Sequence, residues 1–425
     1  MKELPENWAK TTIGTITNIK TGKLDANAAA PNGRYPFFTC AEVAARINNY
    51  SFDTEAVLLA GNGGFNVKWY SGKFDAYQRT YVIEPRKVDG RFLYRLIAAK
   101  VPEITKANRG STIKYLRVGD ITDASVWLPP FAEQKRIADK LDTLLARVDA
   151  CRERLDRVPL VLKRFRQSVL AAATSGRLTA DWREKRVDLC VWSNVLIGDA
   201  AFVTKLAGFE YTKYVKYRDG GDLKVLKAEN VGKERFKYTD FSTVHSQEVS
   251  MLTRSRIGAG DLLMVFVGAG TGQVSMVPEG NSWFLGPNIA LIRTNNKILN
   301  AKYLEYYCRS LLGCSEIARF MKSTAQPSLS MKTIRQICVA LPSILEQQEI
   351  VRRVDVLFDY AGRLEEKLTA ARNAVECLTS SLLAKAFCGE LVEQDINDEP
   401  AIELLKRLAT RPEEGTKAIR KRKVA

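Results

Sequence analysis

Residues 128–179 recur without a gap as residues 341–392, at an offset of 213 and with 15 identities over 52 positions. They include Leu128/Leu341, Pro129/Pro342, Glu133/Glu346, Gln134/Gln347, Ile137/Ile350, Asp142/Asp355, Ser168/Ser381, Gly176/Gly389 and Leu178/Leu391. The offset is half of the 425-residue chain, so one structural unit is written twice. A duplicated frame of this kind suits a target made of two half-sites.

The repeated segment has a readable physical form. Its apolar positions run Ile137, Leu141, Leu144, Val148, Cys151, Leu155, Val158, Leu162, Phe165 and Val169. The second copy runs Ile350, Val354, Leu357, Ala361, Leu364, Leu368, Ala371, Val375, Leu378 and Leu382. Both series step by four and three in alternation, the seam of a coiled coil. Each seam corresponds to roughly 50 Å of helix. Pro129 and Pro342 lie just upstream, where a helix start tolerates proline, and Gly176 and Gly389 lie where a left-handed C-cap is expected. Pro159 should kink or split the first helix. Two helices with one apolar stripe each are expected to pack on one another.

Charge narrows the choice of partner. The net charge is +17, which favours a polyanion. Residues 1–126, 127–186 and 187–339 are each +6, whereas 340–393 are −3, and the opposite signs of the two helical segments favour their pairing. The terminal run Lys417, Arg420, Lys421, Arg422 and Lys423 reads as a solvated tail. No stretch of 18 apolar residues occurs, and the N-terminus lacks a signal-peptide pattern, so a cytoplasmic protein without membrane contact is expected. The eight cysteines contain no Cys-x-x-Cys pair and are expected to be reduced, mostly core thiols.

The segments outside the repeat are mixed. Each opens with a tryptophan followed by Ile-Gly: Trp8…Ile13-Gly14 and Trp192…Ile197-Gly198. Each then has a strand-like run into glycines, Val57–Gly64 and Leu262–Gly272, and a short helical stretch, near Phe92–Ala99 and Tyr303–Leu312.

The blocks Leu128-Pro129-Pro130-Phe131-Ala132-Glu133-Gln134-Lys135-Arg136-Ile137 and Leu162-Lys163-Arg164-Phe165-Arg166-Gln167-Ser168-Val169-Leu170 resemble the central conserved region of type I restriction-modification specificity subunits (HsdS). So do their second copies, Leu341-Pro342 through Glu346-Gln347 and Ser381–Phe387, although Ser343-Ile344 replace Pro130-Phe131. The resemblance spans nearly the whole chain. It implies an α+β fold: two mixed α/β target-recognition domains separated by two long antiparallel coiled-coil helices, with a pseudo-two-fold internal repeat. The expected division is 1–127 (first recognition domain), 128–186 (conserved helix), 187–340 (second recognition domain), 341–392 (conserved helix) and 393–425 (tail). It also implies a non-catalytic subunit that binds double-stranded DNA and two modification (methyltransferase) subunits, joined by restriction (translocase and nuclease) subunits. S-adenosylmethionine, ATP and Mg would belong to those partners, with no cofactor or metal on this chain. Each recognition domain would read one half of an asymmetric interrupted sequence, and the helices would set the gap.

Base readout needs Arg, Lys, Asn and Gln in reach of base edges, and phosphate contacts need Lys, Arg, Ser and backbone amides. In the first domain the candidates are Asn62, Asn66, Lys68, Lys73, Tyr77, Gln78, Arg79, Arg109, Ser111 and Lys114. In the second they are Lys213, Lys216, Lys227, Asn230, Gln273, Asn288, Arg293, Gln326 and Ser328. Helix pairing is assigned to Ile137, Leu141, Leu144, Val148, Leu155 and Leu162 with Ile350, Val354, Leu357, Leu364, Leu368 and Val375.

Two other classes compete. A self-sufficient DNA adenine methyltransferase would use Val57–Gly64 as a cofactor loop and Leu128-Pro129-Pro130-Phe131 as its catalytic motif. The first should lead into a helix, yet Phe65–Tyr70 reads as a strand; the second lacks the polar residue that holds the amine. A coiled-coil scaffold that binds no DNA would use the helices but leave two equally basic domains without a role. His245 is the single histidine, which leaves no basis for a multi-histidine metal site.

Overall fold

The computed structural model describes residues 4–106, 115–186, 191–280, 282–322 and 326–410. The chain divides into two units, Met1–Leu155 with Ala370–Ala425, and Asp156–Thr369. Two helices of 44 residues, Phe131–Thr174 and Ile344–Phe387, each begin in one unit and end in the other.

In the first unit a six-stranded sheet has the order Thr17–Thr21, Thr80–Pro85, Phe52–Ala60, Val67–Ala76, Tyr35–Phe38, Ala45–Ile47. Its central strand is buried on both faces. Val57 and Leu59 join one apolar cluster with Ile83, Phe92 and Ile137, while Ala56 and Leu58 join another with Phe38, Phe74 and Val82. A strand sealed on both sides reads as a continuous apolar run rather than an alternating one. The second unit repeats the device on a four-stranded sheet, Ala201–Lys205, Ile289–Thr294, Leu262–Val265, Val274–Met276. Leu262 and Met264 face one cluster, Leu263 and Val265 the other. The short helical stretches are present as Gly90–Ile104 and as Ala301–Arg309 followed by Leu311–Arg319. Ser310 separates the last two by capping the second, accepting from the Gly313 amide at 3.1 Å.

The first turn of each long helix is tied to its unit by the same set of bonds. Trp8 Nε1 donates to Glu133 Oε2 at 3.0 Å, and Trp192 Nε1 donates to Glu346 Oε2 at 3.0 Å. Gln134 accepts from the Asp89 amide (3.0 Å) and donates to the Pro129 carbonyl (2.9 Å). Gln347 accepts from the Asn300 amide (2.8 Å) and donates to the Pro342 carbonyl (2.9 Å). Asp89 and Asn300 are the N-caps of the helices that open at Gly90 and Ala301. About two turns further along, Asp142 pairs with Arg95 (2.7 Å), and Asp355 accepts from the Tyr306 hydroxyl.

The far ends close as the sequence suggests. Gly176 and Gly389 are left-handed, at φ 76° and 74°. A Cβ on Gly176 would lie 3.3 Å from Trp192, and one on Gly389 would lie 2.5 Å from Pro5 and 3.6 Å from Trp8. Each tryptophan therefore touches the start of one long helix with its N–H and the end of the other with its ring.

Three expectations about the stripe need correction. Pro159 does not split its helix. It cannot donate to the Leu155 carbonyl, and Arg372 Nη2 of the second long helix reaches that oxygen instead, at a long 3.5 Å. Cys151 and Leu378 are exposed, although they continue the spacing. Ile137 and Leu141 sit in the core cluster of the first unit, and Ile350 and Val354 in that of the second, so they pack on the domains as well as along the helices. Midway, Val148, Leu162, Ala361 and Leu368 are buried, and Leu144, Leu155, Leu357, Leu364 and Val375 are half-buried. Arg166 forks onto Glu365, its Nη2 2.9 Å from Oε2, so the opposite charges of the two helices do meet. The seven described cysteines are all free, but only Cys308 is buried; Cys151, Cys314 and Cys377 occupy exposed helix positions, and Cys388 is exposed just beyond its helix. Cys190 and the basic tail run lie outside the described residues.

Candidate nucleic-acid interface

In the first unit the loops that follow the central strand converge at one end of the sheet. The Gly61 amide donates to the Arg79 carbonyl (2.7 Å), and the Leu116 amide donates to the Gly61 carbonyl (2.9 Å). Asn62 bridges to Tyr115, and Tyr77 to Leu24. Gly63, at φ 72°, has open space where a Cβ would stand, and the Tyr81 hydroxyl donates to the Leu116 carbonyl at 2.8 Å to brace the segment below it. Asn62, Tyr77, Gln78 and Arg79 are brought together here, with the Gln78 and Arg79 side chains exposed. Gln78 makes one long contact, 3.4 Å to Asp25.

The second unit builds the same end from different residues. Phe266 N–H donates to the Asn288 carbonyl (3.0 Å), Leu329 N–H to the Phe266 carbonyl (2.8 Å) and Gly268 N–H to the Pro327 carbonyl (3.2 Å). Val267 bridges to Ser328. The glycine turn after the central strand and the segment after the helices thus meet in both units. Gln273, Asn288, Gln326 and Ser328 gather around this point. Asn288 is exposed and left-handed at φ 64°, a conformation asparagine tolerates better than most residues.

Other candidates sit elsewhere or are already engaged. Lys73 lies over the Tyr50 ring at 4.8 Å, and the Tyr50 hydroxyl holds its ammonium above the ordinary lysine value. Lys213 and Lys216 are exposed, and Lys227 lies 4.7 Å over Tyr217 while donating to Ser242 at 2.8 Å. Arg109, Ser111 and Lys114 lie outside the described residues. Four further candidates are engaged in internal bonds. Asn66 donates to the Cys40 carbonyl (2.7 Å) and Lys68 to the Ala41 carbonyl (2.7 Å), binding strand to turn. Burial lowers the Lys68 pKa. Asn230 is buried, accepts from the Lys227 amide (2.8 Å) and donates to Thr239 (2.8 Å) and the Lys237 carbonyl (3.2 Å). Arg293 forks onto the buried Asp261 at 2.8 and 2.6 Å. Side chains so committed are poor choices for reading bases, because freeing them leaves buried partners unpaired.

The candidate set omits aromatic neighbours of the lysines. Tyr35 and Tyr50 are 5.0 Å apart beside Arg34 and Lys73, and Tyr211 and Tyr217 are 6.3 Å apart beside Lys227. The alternation Tyr211, Lys213, Tyr214, Lys216, Tyr217, Arg218 was the available signal for the second group. Among the described residues no cluster of His, Cys, Asp and Glu could hold a metal, and no helix is long and apolar enough to cross a membrane.

Each of the two mixed α/β units presents loop tips at the end of a sheet buried on both faces, and two 44-residue helices each begin in one unit and end in the other. The family profile of the type I restriction modification DNA specificity domain matches residues 5–159 and again 192–371. The chain is 38% identical over 408 residues to the type I restriction enzyme EcoDI specificity subunit of Escherichia coli, covering 92% of this chain and 90% of that one. It is 34% identical over 354 residues to the EcoBI specificity subunit of the same species, covering 80% and 74%. The HsdS subunit of Thermoanaerobacter tengcongensis shares the fold with a TM-score of 0.58 at 16% identity, over 91% of this chain and 98% of that one. A chain from a structural study of type I R-M complex assembly shares it with a TM-score of 0.62 at 16% identity, over 92% and 100%. The protein belongs to the type I restriction-modification specificity subunits, whose role is DNA sequence recognition without catalysis.

Proposed function

We propose that this chain reads an interrupted, asymmetric DNA sequence for a type I restriction-modification complex, one recognition domain to each half-site. Residues 1–127 and 187–340 are the readers, residues 128–186 and 341–392 the spacer, and 393–425 the tail. The long helices act as an antiparallel coiled coil with pseudo-two-fold symmetry, which sets the unread gap and docks two modification subunits. Restriction subunits join that core in the cytoplasm. The exposed Gln78 and Arg79 with the half-buried Asn62 in one domain, and the exposed Asn288 and Gln326 with the half-buried Gln273 in the other, are assigned to the bases and phosphates.

The observation that carries this reading is the recurrence, in both units, of one loop convergence at the end of a sheet buried on both faces. The loops differ in sequence while their convergence beside the central strand recurs, which suits two readers with different half-sites. A self-sufficient methyltransferase is disfavoured because Val67–Ala76 follows the Gly61–Gly64 turn as a strand, where a cofactor loop leads into a helix.

The test is transfer of labelled methyl groups from S-adenosylmethionine to DNA, by the chain alone and by the chain co-expressed with its modification subunit. Methylation only in the second case, at an interrupted asymmetric motif, is the expected result. Methylation by the chain alone overturns the reading, and loss of salt-sensitive DNA binding in the assembled complex favours a scaffold. Insertion of seven residues into both helices, between Asp142 and Val158 and between Asp355 and Ala371, lengthens each by about 10 Å. The gap should grow by roughly three base pairs.

A further inference from the structure

The Trp-Glu-Gln arrangement at the base of each reader has a chemistry that folding alone does not require. Glu133, Gln134, Glu346 and Gln347 are all fully buried. An apolar packing of similar volume at such a site is often as stable as a satisfied polar one, because every buried polar group is desolvated before it is bonded. Directional bonds add orientation. A greasy contact between a helix and a domain tolerates small rotations, whereas a hydrogen bond weakens steeply off its axis.

We infer that Gln134 and Gln347, with the tryptophans at Trp8 and Trp192, are positioning residues that fix the rotation of each recognition domain about its spacer helix and thereby enforce the length of the gap. This inference rests on the reading proposed above. Each glutamine joins three things at once: the first turn of the long helix, the Pro129 or Pro342 carbonyl at the domain exit, and the backbone amide of the residue whose side chain caps the domain's own helix. Each tryptophan adds the far end of the other long helix, through its ring against Gly389 or Gly176. The domain is thus keyed to both helices at one point. A small rotation there is carried out to the loop tips, so an error at the base becomes a displacement along the DNA. Asp142 and Asp355 supply a second point of attachment a turn or more away, which converts a pivot into a fixed angle.

The experiment compares methylation rates on DNA carrying the mapped half-sites separated by the natural gap, by one base pair fewer and by one more. The full chain is assembled with its modification subunit throughout. Gln134→Met and Gln347→Met keep the volume and remove the bonds. Each is expected to relax the preference for the natural gap about tenfold, the factor that one hydrogen bond's worth of orientation supplies. Half-site sequence preference is expected to stay unchanged. A purely structural role lowers activity on all three DNAs alike and leaves the ratio fixed, and that outcome overturns the inference. If either methionine variant fails to assemble, Asp142→Asn, at a half-exposed site, decides: a relaxed ratio supports the inference and an unchanged one overturns it. Failure of the wild-type complex to methylate any interrupted target would instead sink the underlying reading.

Discussion

The two tryptophans give a prediction in which sequence symmetry and structure disagree. Trp8→Phe and Trp192→Phe make the same chemical change at equivalent positions, removing the indole N–H and keeping an aromatic ring. Both leave a buried carboxylate oxygen without its donor. In the second unit the other oxygen of Glu346 is still held by Thr179 (2.7 Å) and by the Arg183 guanidinium, so its charge remains compensated. In the first unit Glu133 retains, among the described residues, only the bond from Gln394 (2.6 Å), while its neighbour Arg136 is drawn to Asp398 at 2.6 Å. An unpaired buried acceptor costs about 1–3 kcal/mol, more when charged. Trp8→Phe should therefore cost about 2–3 kcal/mol and Trp192→Phe about 1 kcal/mol. For units of this size those losses correspond to melting shifts of roughly 5–10 °C and 2–4 °C. A chain of two units need not melt in one transition, so the assay is hydrogen exchange read separately on peptides of each unit. The pH dependence adds a second check. Burial raises the Glu133 carboxyl above its ordinary value, against the opposing bonds from Gln394 and Trp8. The folded unit thus holds that proton more tightly than the unfolded chain, and ionisation of Glu133 opposes folding as pH rises through the raised value. Loss of the Trp8 bond enlarges this effect, so the deficit of Trp8→Phe is largest near neutrality and shrinks in acid. Equal losses in the two variants, or a larger one for Trp192→Phe, would refute the reasoning.

Three further outcomes are expected. Glu133→Gln should gain stability relative to wild type from acid to neutral pH, measured by denaturant midpoints across that range; a constant difference counts against the assigned cause. Arg372→Met should speed amide exchange around residues 155–163 about fivefold, because the Leu155 carbonyl then has no substitute for the donor that Pro159 lacks; unchanged exchange would show the long contact to be idle. Arg79→Ala and Asn288→Gly should each weaken discrimination by about 1–3 kcal/mol in one half-site only. Glycine preserves the left-handed backbone at 288, so that variant removes the side chain alone, and methylation of DNAs altered in either half-site reads the result.

Much of this frame is legible in the sequence, and the exceptions have physical reasons. Periodicity locates the long helices, since the stripe and the glycines follow from helix geometry itself. It does not reveal what covers the stripe: Ile137 and Ile350 continue the same spacing as Cys151, yet the first two lie in domain cores and Cys151 faces solvent. Pro159 shows the limit of a local rule, because the carbonyl it strands is reached from 217 residues away. The candidate interface is legible in outline only. Glycines mark the loop tips, but residue type does not distinguish an exposed asparagine from one that braces the fold, as Asn288 and Asn230 illustrate. Glu133 and Gln134 appear in the sequence as identities of the repeat, and their bonding partners lie in segments that diverge.

The unit that contains Trp8 is assembled from both ends of the chain, whereas the other is continuous from Asp156 to Thr369. Ala386, Ala401 and Leu404 belong to the apolar cluster that surrounds Trp8. On the ribosome, the unit that begins first is therefore completed last. Between the emergence of its sheet and that of Ala401 and Leu404, synthesis runs for roughly ten seconds to a minute. Throughout that interval a patch of its interior faces water and whatever chaperone is at hand. A premature stop near the end of the message would cripple the beginning of the protein and spare the middle.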